Sequence, residues 1–225
     1  MAKPVRGVIL DVDGTLVDSN DAHARAWVEA LSEQGVEVEF EKARRLIGMG
    51  GDKLLPEISG MEEESPEGKR AGERRGQIFK EKYLPSIKPL PGARELLKRL
   101  REDGLKLVVA SSAKKDELDP LLEIAGASDL IEGKTSSDDA ENSKPDPDIV
   151  EAALEKAALS PDEVVMLGDT PYDIESAGKA GVEVIALRSG GWEDEDLSGA
   201  VAIYQDPADL LARYDESPLK KRQKE

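Results

Sequence analysis

Four short apolar runs set the frame of the chain: Val5 to Leu10, Leu105 to Ala110, Val164 to Leu167 and Val182 to Leu187. Each is rich in Val, Ile and Leu and lacks the strict alternation of a half-exposed strand, so each reads as a strand covered on both faces. Helical patterns separate them. Ala93 to Asp103 ends at Gly104, and Asp116 to Ala125 ends at Gly126, glycines placed where helices close. Asp146-Pro147 opens a pattern reaching Ala158, with Asp as cap and Pro in the first turn. Pro171 to Ala180 stops at Gly181. Alternation of this kind predicts an α/β fold built on a doubly wound parallel sheet.

The stretch from Asp18 to Ser86 has a different character. It holds helical patterns (Asp21 to Gln34, Glu41 to Ile47, Gly68 to Leu84) and no strand series, and Ile87 to Gly92 returns the chain to the sheet. The expected organisation is a core of residues 1–17 and 87–214, a helical insertion over 18–86, and a frayed tail over 215–225. A chain of 225 residues is long enough for one substantial core with such an insertion.

Composition narrows the function. There is no cysteine, which excludes disulfides, thiolate metal sites and Cys nucleophiles. The formal net charge is -17, from 48 acidic and 31 basic residues, and argues against a nucleic-acid partner. No run approaches a membrane span, and the N-terminus is too short and too acidic for a signal peptide, so no membrane association and a cytoplasmic location are expected.

The strand tips are where chemistry concentrates. The first strand runs into Asp11-Val12-Asp13-Gly14-Thr15, the second into Ser111-Ser112, and the third into Gly168-Asp169-Thr170-Pro171-Tyr172-Asp173. In a parallel sheet all carboxyl ends share one edge, where open α/β proteins bind ligands. Asp11, Asp13, Asp169 and Asp173 cannot all stay ionised there without compensation. A Mg²⁺ ion, which prefers hard oxygen ligands, and Lys144, just ahead of a helix start, would relieve the repulsion. Taken singly, each residue has an ordinary reading: an Asp caps a helix, a serine says nothing, a lysine is solvated. The joint pattern is the signal.

Rival motifs fit poorly. Asp11-Val12-Asp13-Gly14 begins like a calcium loop, but the Gly and Glu expected at its sixth and twelfth positions are Leu16 and Ala22. Gly133-Lys134-Thr135 ends like a phosphate loop whose first glycine is Ser128, and no helix pattern follows it. Gly48-Met49-Gly50-Gly51 follows a helical stretch, so it is no dinucleotide fingerprint.

These residues resemble the haloacid dehalogenase (HAD) superfamily from about Arg6 to Tyr214. Asp11 to Ser19 is similar to its first motif, Ser111 to its second, Lys144 in Ser143-Lys144-Pro145-Asp146 to its third, and Gly168 to Asp173 to its fourth. The insertion resembles the small helical cap of phosphoglycolate-phosphatase-like and beta-phosphoglucomutase-like members. The resemblance implies a Mg²⁺-dependent phosphatase acting on a small phosphorylated metabolite through an aspartyl-phosphate. Asp11 is then the nucleophile and Asp13 the acid and base, with Ser111 and Lys144 on the phosphoryl oxygens. Metal ligation falls to Asp11, Asp13 (through its backbone carbonyl) and Asp169, with Asp173 behind them. Gly14, Thr15, Ser112, His23, Gly48 and Gly50 are expected on the substrate side, and His23 equally reads as an ordinary polar helix residue. The mutases hold a second phosphate with a lysine and an arginine in the cap loop. Ile47 and Gly51 stand there, which favours hydrolysis over mutase activity. A phosphosugar mutase and a non-catalytic phosphometabolite-binding module stay open as alternatives, and a monomer or weak homodimer is expected.

Overall fold

Strand β1 (Gly7–Leu10), buried along its whole length, lies at the centre of a six-stranded sheet. The computed structural model describes residues 3–222. The other strands are β2 (Lys106–Ala110), β3 (Gly133–Thr135), β4 (Val164–Gly168), β5 (Glu183–Leu187) and β6 (Ala202–Tyr204), in the order β3-β2-β1-β4-β5-β6 with every pairing parallel. Alternate residues of each strand feed opposite faces. Leu10, Leu107, Val109, Val165 and Leu167 pack under α5 (Ala93–Glu102) and α6 (Lys115–Ile124), while Ile9, Val108, Ala110 and Met166 pack under α7 (Asp148–Ala157) and α8 (Pro171–Lys179). The expected doubly wound sheet is what forms.

Between β1 and α5 the chain builds α1 (Asn20–Ser32), α2 (Phe40–Leu46), α3 (Gly51–Ser59) and α4 (Pro66–Ile78). These helices bury their own cluster, with Ala24, Trp27, Leu31, Ala43, Leu54, Leu55, Ile58 and Ala71 at its heart. The pattern expected as one helix from Gly68 to Leu84 divides into α4, a π-helical turn at Phe79–Tyr83 and a 3₁₀ turn at Leu84–Ser86. Helix α3 was not expected, because its Gly51 start and internal Pro56 mask the pattern. The chain leaves and rejoins the sheet side by side: Asp18 N donates to Lys88 O at 3.0 Å, Leu90 N donates to Leu16 O at 2.9 Å, and Val17 bridges Pro89.

Two short strands carry no signal in the sequence, and two further expectations are corrected. Gly133-Lys134-Thr135 is an edge strand, whose Thr135 hydroxyl donates to Val109 O at 2.8 Å. Strand β6, only three residues long, was not foreseen. Helix α7 begins at Asp148, with Pro147 in the cap position; Asp146 turns to Lys53, 2.9 Å away. The tail from 215 to 222 is not frayed. A 3₁₀ turn (Tyr214–Glu216), α9 (Pro207–Ala212) before it and α10 (Pro218–Lys221) after it close the fold, with Leu219 buried in the core and Lys220 paired to Asp103 at 2.7 Å. The last three positions of that expectation, 223–225, lie outside the described residues. No described helix is long and apolar enough to cross a membrane.

Candidate active site

Register delivers the site. Leu10 sits opposite Val109 and Leu167, so the next residues outward along all three strands emerge on one edge. Asp11 is anchored there by its own N–H, which donates to Leu167 O at 2.9 Å. Lys144 reaches in from the loop before α7 and is wholly buried. Its ammonium donates to Asp11 Oδ1 at 2.6 Å and to Ala110 O at 2.8 Å, and lies 2.8 Å from Asp173 Oδ1. One cation thus ties the tips of β1 and β2 to the start of α8.

Asp169 lies beyond the tip of β4 and is also buried. Thr15 Oγ1 donates to its Oδ1 at 3.0 Å and Asn20 Nδ2 to its Oδ2 at 2.9 Å. Gly14, at φ 74°, passes so close that a Cβ there would stand 2.1 Å from Asp169 Oδ2. Gly14 and Thr15, expected on the substrate side, therefore pack behind this carboxylate. Asp173 stands on the first turn of α8, where Thr170 and Asp173 cap each other reciprocally. Its Oδ2 accepts from Thr170 Oγ1 at 2.7 Å and from the N–H groups of Thr170 and Asp169 at 3.0 and 3.2 Å.

Asp11, Asp169 and Asp173 each present an oxygen within 4.8 Å of the other two. Burial pushes the Asp11 carboxyl up to about 7, with Asp173 and Asp13 adding to the rise and Lys144 opposing it. Asp169 is driven well above the ordinary carboxylate value by burial and then by Asp11 and Asp173. Burial works against the Lys144 charge, but Asp11 and Asp173 outweigh it and raise its pKa above the usual lysine value. Three buried carboxylates facing one ammonium leave net negative charge among hard oxygen donors, a donor set that fits Mg²⁺.

The Asp13 side chain stands apart from this group. Its Oδ1 accepts from the Ser19 hydroxyl and lies 2.8 Å from His23 Nε2. Burial pushes Asp13 up, but His23 and Ser19 outweigh it and hold the carboxyl below its ordinary value. The His23 ring stacks on Phe79 of the π-helical turn, centroids 4.0 Å apart. A pocket of about 40 Å³ is lined by Asp11, Asp13, His23, Trp27, Gly48 and Ser112, with Arg75 at its side.

Ser111 is buried at the end of β2 and accepts from Ala113 N at 3.1 Å. Gly48 and Gly50 hold the insertion against the core. A Cβ on Gly48 would meet Thr170 Cγ2 at 2.8 Å, and one on Gly50 would meet Ser143 Oγ at 2.0 Å. Gly50 thus contacts the loop that carries Lys144 and does not line the pocket. Three contributors escaped the sequence reading. Asn20 directly follows the first acidic motif and was within reach of it. Arg75 and the loop after β5 carry no sequence signal. In that loop Ser189 Oγ donates to Gly14 O at 2.7 Å, Gly190 O accepts from Arg44 at 2.6 Å, and Arg45 lies over Trp192.

Comparison with known proteins shows what the chain is related to. The family model for haloacid dehalogenase-like hydrolases matches residues 8–187. A phosphoglycolate phosphatase from Rhodospirillum rubrum is 31% identical over 217 residues, covering 91% of this chain and 89% of the relative. The protein SUPPRESSOR OF QUENCHING 1 of Arabidopsis thaliana is 33% identical over 189 residues; the match takes in 82% of this chain and only 18% of that much longer protein. A hydrolase from Pseudomonas syringae of known crystal structure superposes with a TM-score of 0.87 at 33% identity, covering 94% of this chain and 98% of the other. The chain belongs to the haloacid dehalogenase-like hydrolases.

Proposed function

We propose that the protein is a Mg²⁺-dependent phosphatase that hydrolyses a small phosphomonoester through an aspartyl-phosphate on Asp11, beneath a cap formed by residues 18–86. The observation that carries this reading is the placement of Asp11. It lines the pocket beside Asp13 while its Oδ1 rests on the buried Lys144 ammonium. A carboxylate held by one oxygen retains a second for attack on phosphorus. The relatives named for phosphatase activity support the reaction class.

In the first step a carboxylate oxygen of Asp11 bonds to phosphorus and the ester P–O bond breaks, the leaving oxygen taking a proton from Asp13. In the second, Asp13 accepts a proton from water, whose oxygen bonds to phosphorus as the bond to Asp11 breaks. His23 and Ser19 lower the Asp13 carboxyl below its ordinary value, and the second step returns to Asp13 the proton it gave up in the first. The Lys144 ammonium and the Ser111 hydroxyl are assigned to the phosphoryl oxygens. Mg²⁺ held by the Asp11 and Asp169 carboxylates and the Asp13 backbone carbonyl would neutralise charge on the transferring group. Asp173 supports this set by fixing Lys144 and the start of α8. Hydrolysis is favoured over mutase chemistry because the cap loop offers no cation for a second phosphate: Ile47 is buried in the insertion's own core and Gly51 has no side chain.

The test is phosphate release from p-nitrophenyl phosphate with and without Mg²⁺. Turnover should require the metal and vanish in Asp11→Asn, with the circular-dichroism spectrum unchanged. Undiminished turnover by Asp11→Asn would overturn the assignment of the nucleophile.

A further inference from the structure

Beside the small pocket at Asp11 lies a larger cavity of about 240 Å³. Trp27, Gly51, Arg75 and Ser112 line both. On the phosphatase reading, which selection in this cavity also requires, a substrate whose phosphorus meets Asp11 extends its alcohol portion past these shared residues into the outer chamber. The charge of that chamber then selects the alcohol.

The chamber has two cations, Arg75 and Lys114. Arg75 is engaged already. Its Nη1 donates to both oxygens of Glu117 at 2.6 and 2.5 Å, and its guanidinium lies over the rings of Trp27 and Phe79. Glu117 is buried. Turning Arg75 towards a substrate anion would strand that carboxylate without a partner, a strongly unfavourable exchange. Lys114 alone then faces Asp52, Glu63, Asp138 and Glu141, none of which forms an ion pair among the described residues. Asp52 Oδ1 is buried without a hydrogen-bond partner. Burial and the neighbouring Asp52 charge also hold the Glu63 carboxyl above its ordinary value.

We infer that the outer chamber discriminates by charge, accepting phosphomonoesters whose alcohol portion carries an amine and rejecting those that carry a carboxylate or a second phosphate. An ammonium group meets carboxylates without an ion-pair partner there, whereas an anion meets four of them and one lysine.

A two-carbon series of nearly equal size tests this directly: 2-aminoethyl phosphate, 2-hydroxyethyl phosphate and phosphoglycolate, assayed with Mg²⁺ alongside p-nitrophenyl phosphate. For the unmodified protein, kcat/KM for phosphoglycolate should fall about tenfold below that for 2-hydroxyethyl phosphate, as one unfavourable charge contact at intermediate dielectric implies. The amine should match or exceed the hydroxyl. In Glu63→Gln/Asp138→Asn, and to a smaller degree in Glu141→Gln, the phosphoglycolate to hydroxyethyl ratio should rise at least threefold. Comparing that ratio between proteins cancels the intrinsic reactivity of each ester. Phosphoglycolate as the best of the three, or a ratio unmoved in both variants, overturns charge selection while leaving the phosphatase reading intact. Absence of p-nitrophenyl phosphate turnover by the unmodified protein overturns the phosphatase reading itself, and charge selection with it.

Discussion

Replacing Lys144 by methionine removes the one cation that joins Asp11 to Asp173 and leaves a side chain of similar length in its place. The oxygens of Asp11 and Asp173 lie no more than 4.8 Å apart. Two unit charges at that distance repel by about 3.5 kcal/mol at an effective dielectric constant of ~20. Loss of one partner from a buried ion pair costs about 3–5 kcal/mol in measured cases, so the two figures agree. The penalty should depend on pH. Without Lys144 the Asp11 carboxyl, already raised to about 7, rises further, because that lysine is what lowers it. At pH 5 the site relieves itself by protonation at little cost, whereas at pH 8 it must either hold that proton against the solution or carry the unbalanced charge. Urea denaturation of the metal-free protein should therefore show Lys144→Met destabilised by about 3–5 kcal/mol at pH 8 and by clearly less at pH 5. Adding Asp11→Asn, which removes one uncompensated charge, should return part of the loss at pH 8. A deficit below about 1 kcal/mol at both pH values, or a double variant no better than the single, would refute the view that this lysine balances buried charge.

Raised carboxyl values also make the unmodified, metal-free protein sensitive to pH. The folded state holds protons on Asp11 and Asp169 more tightly than the unfolded chain, so this stability is present below the ordinary value of 3.8 and is lost as pH rises through about 7. The gain in Tm on adding millimolar Mg²⁺ should accordingly be larger at pH 8 than at pH 5; a gain independent of pH, followed by scanning calorimetry, would count against it. Asp13→Asn should slow alkyl phosphates by about 10²- to 10⁴-fold and p-nitrophenyl phosphate far less, since only poor leaving groups need the proton. An equal loss on all esters, in steady-state assays, would remove Asp13 from that role. Gly50→Ala places a Cβ 2.0 Å from Ser143 Oγ and 2.2 Å from Ser143 Cβ, so no rotamer of the serine relieves it. The insertion should seat less well against the Lys144 loop, with kcat/KM down by up to ~10²-fold, as a misplacement of about 1 Å can cost; unaltered kinetics would show that this contact does not matter.

Legibility in the sequence followed length and burial. The four inner strands are continuous apolar runs, and residues at their tips are brought together by register alone, so Asp11, Ser111 and Asp169 were readable from sequence. Lys144 was readable because a Pro-rich helix start placed it near the same edge. Strands β3 and β6 were not, being three residues each and carrying too little pattern to separate from a turn. Helix α3 hid behind Gly51 and Pro56. The bonds from Asn20 to Asp169 and from Arg75 to Glu117 join residues 149 and 42 positions apart, and nothing local in either residue announces its partner. Asp13 shows the remaining limit: its position was plain, but the side chain's turn towards Ser19 and His23 depends on how α1 packs.

The paired crossing of the chain at Val17 and Pro89, where Leu16, Asp18, Lys88 and Leu90 exchange backbone hydrogen bonds, brings both ends of the inserted helices to one place. Because the two ends meet at one point of the sheet's rim, changes in length between them leave the strand order intact. Variation around Gly51, Glu63 and Arg75 can then alter what the chamber admits, whereas Ser19, Asn20 and His23 of the same insertion stay tied to Asp13 and Asp169 beneath it.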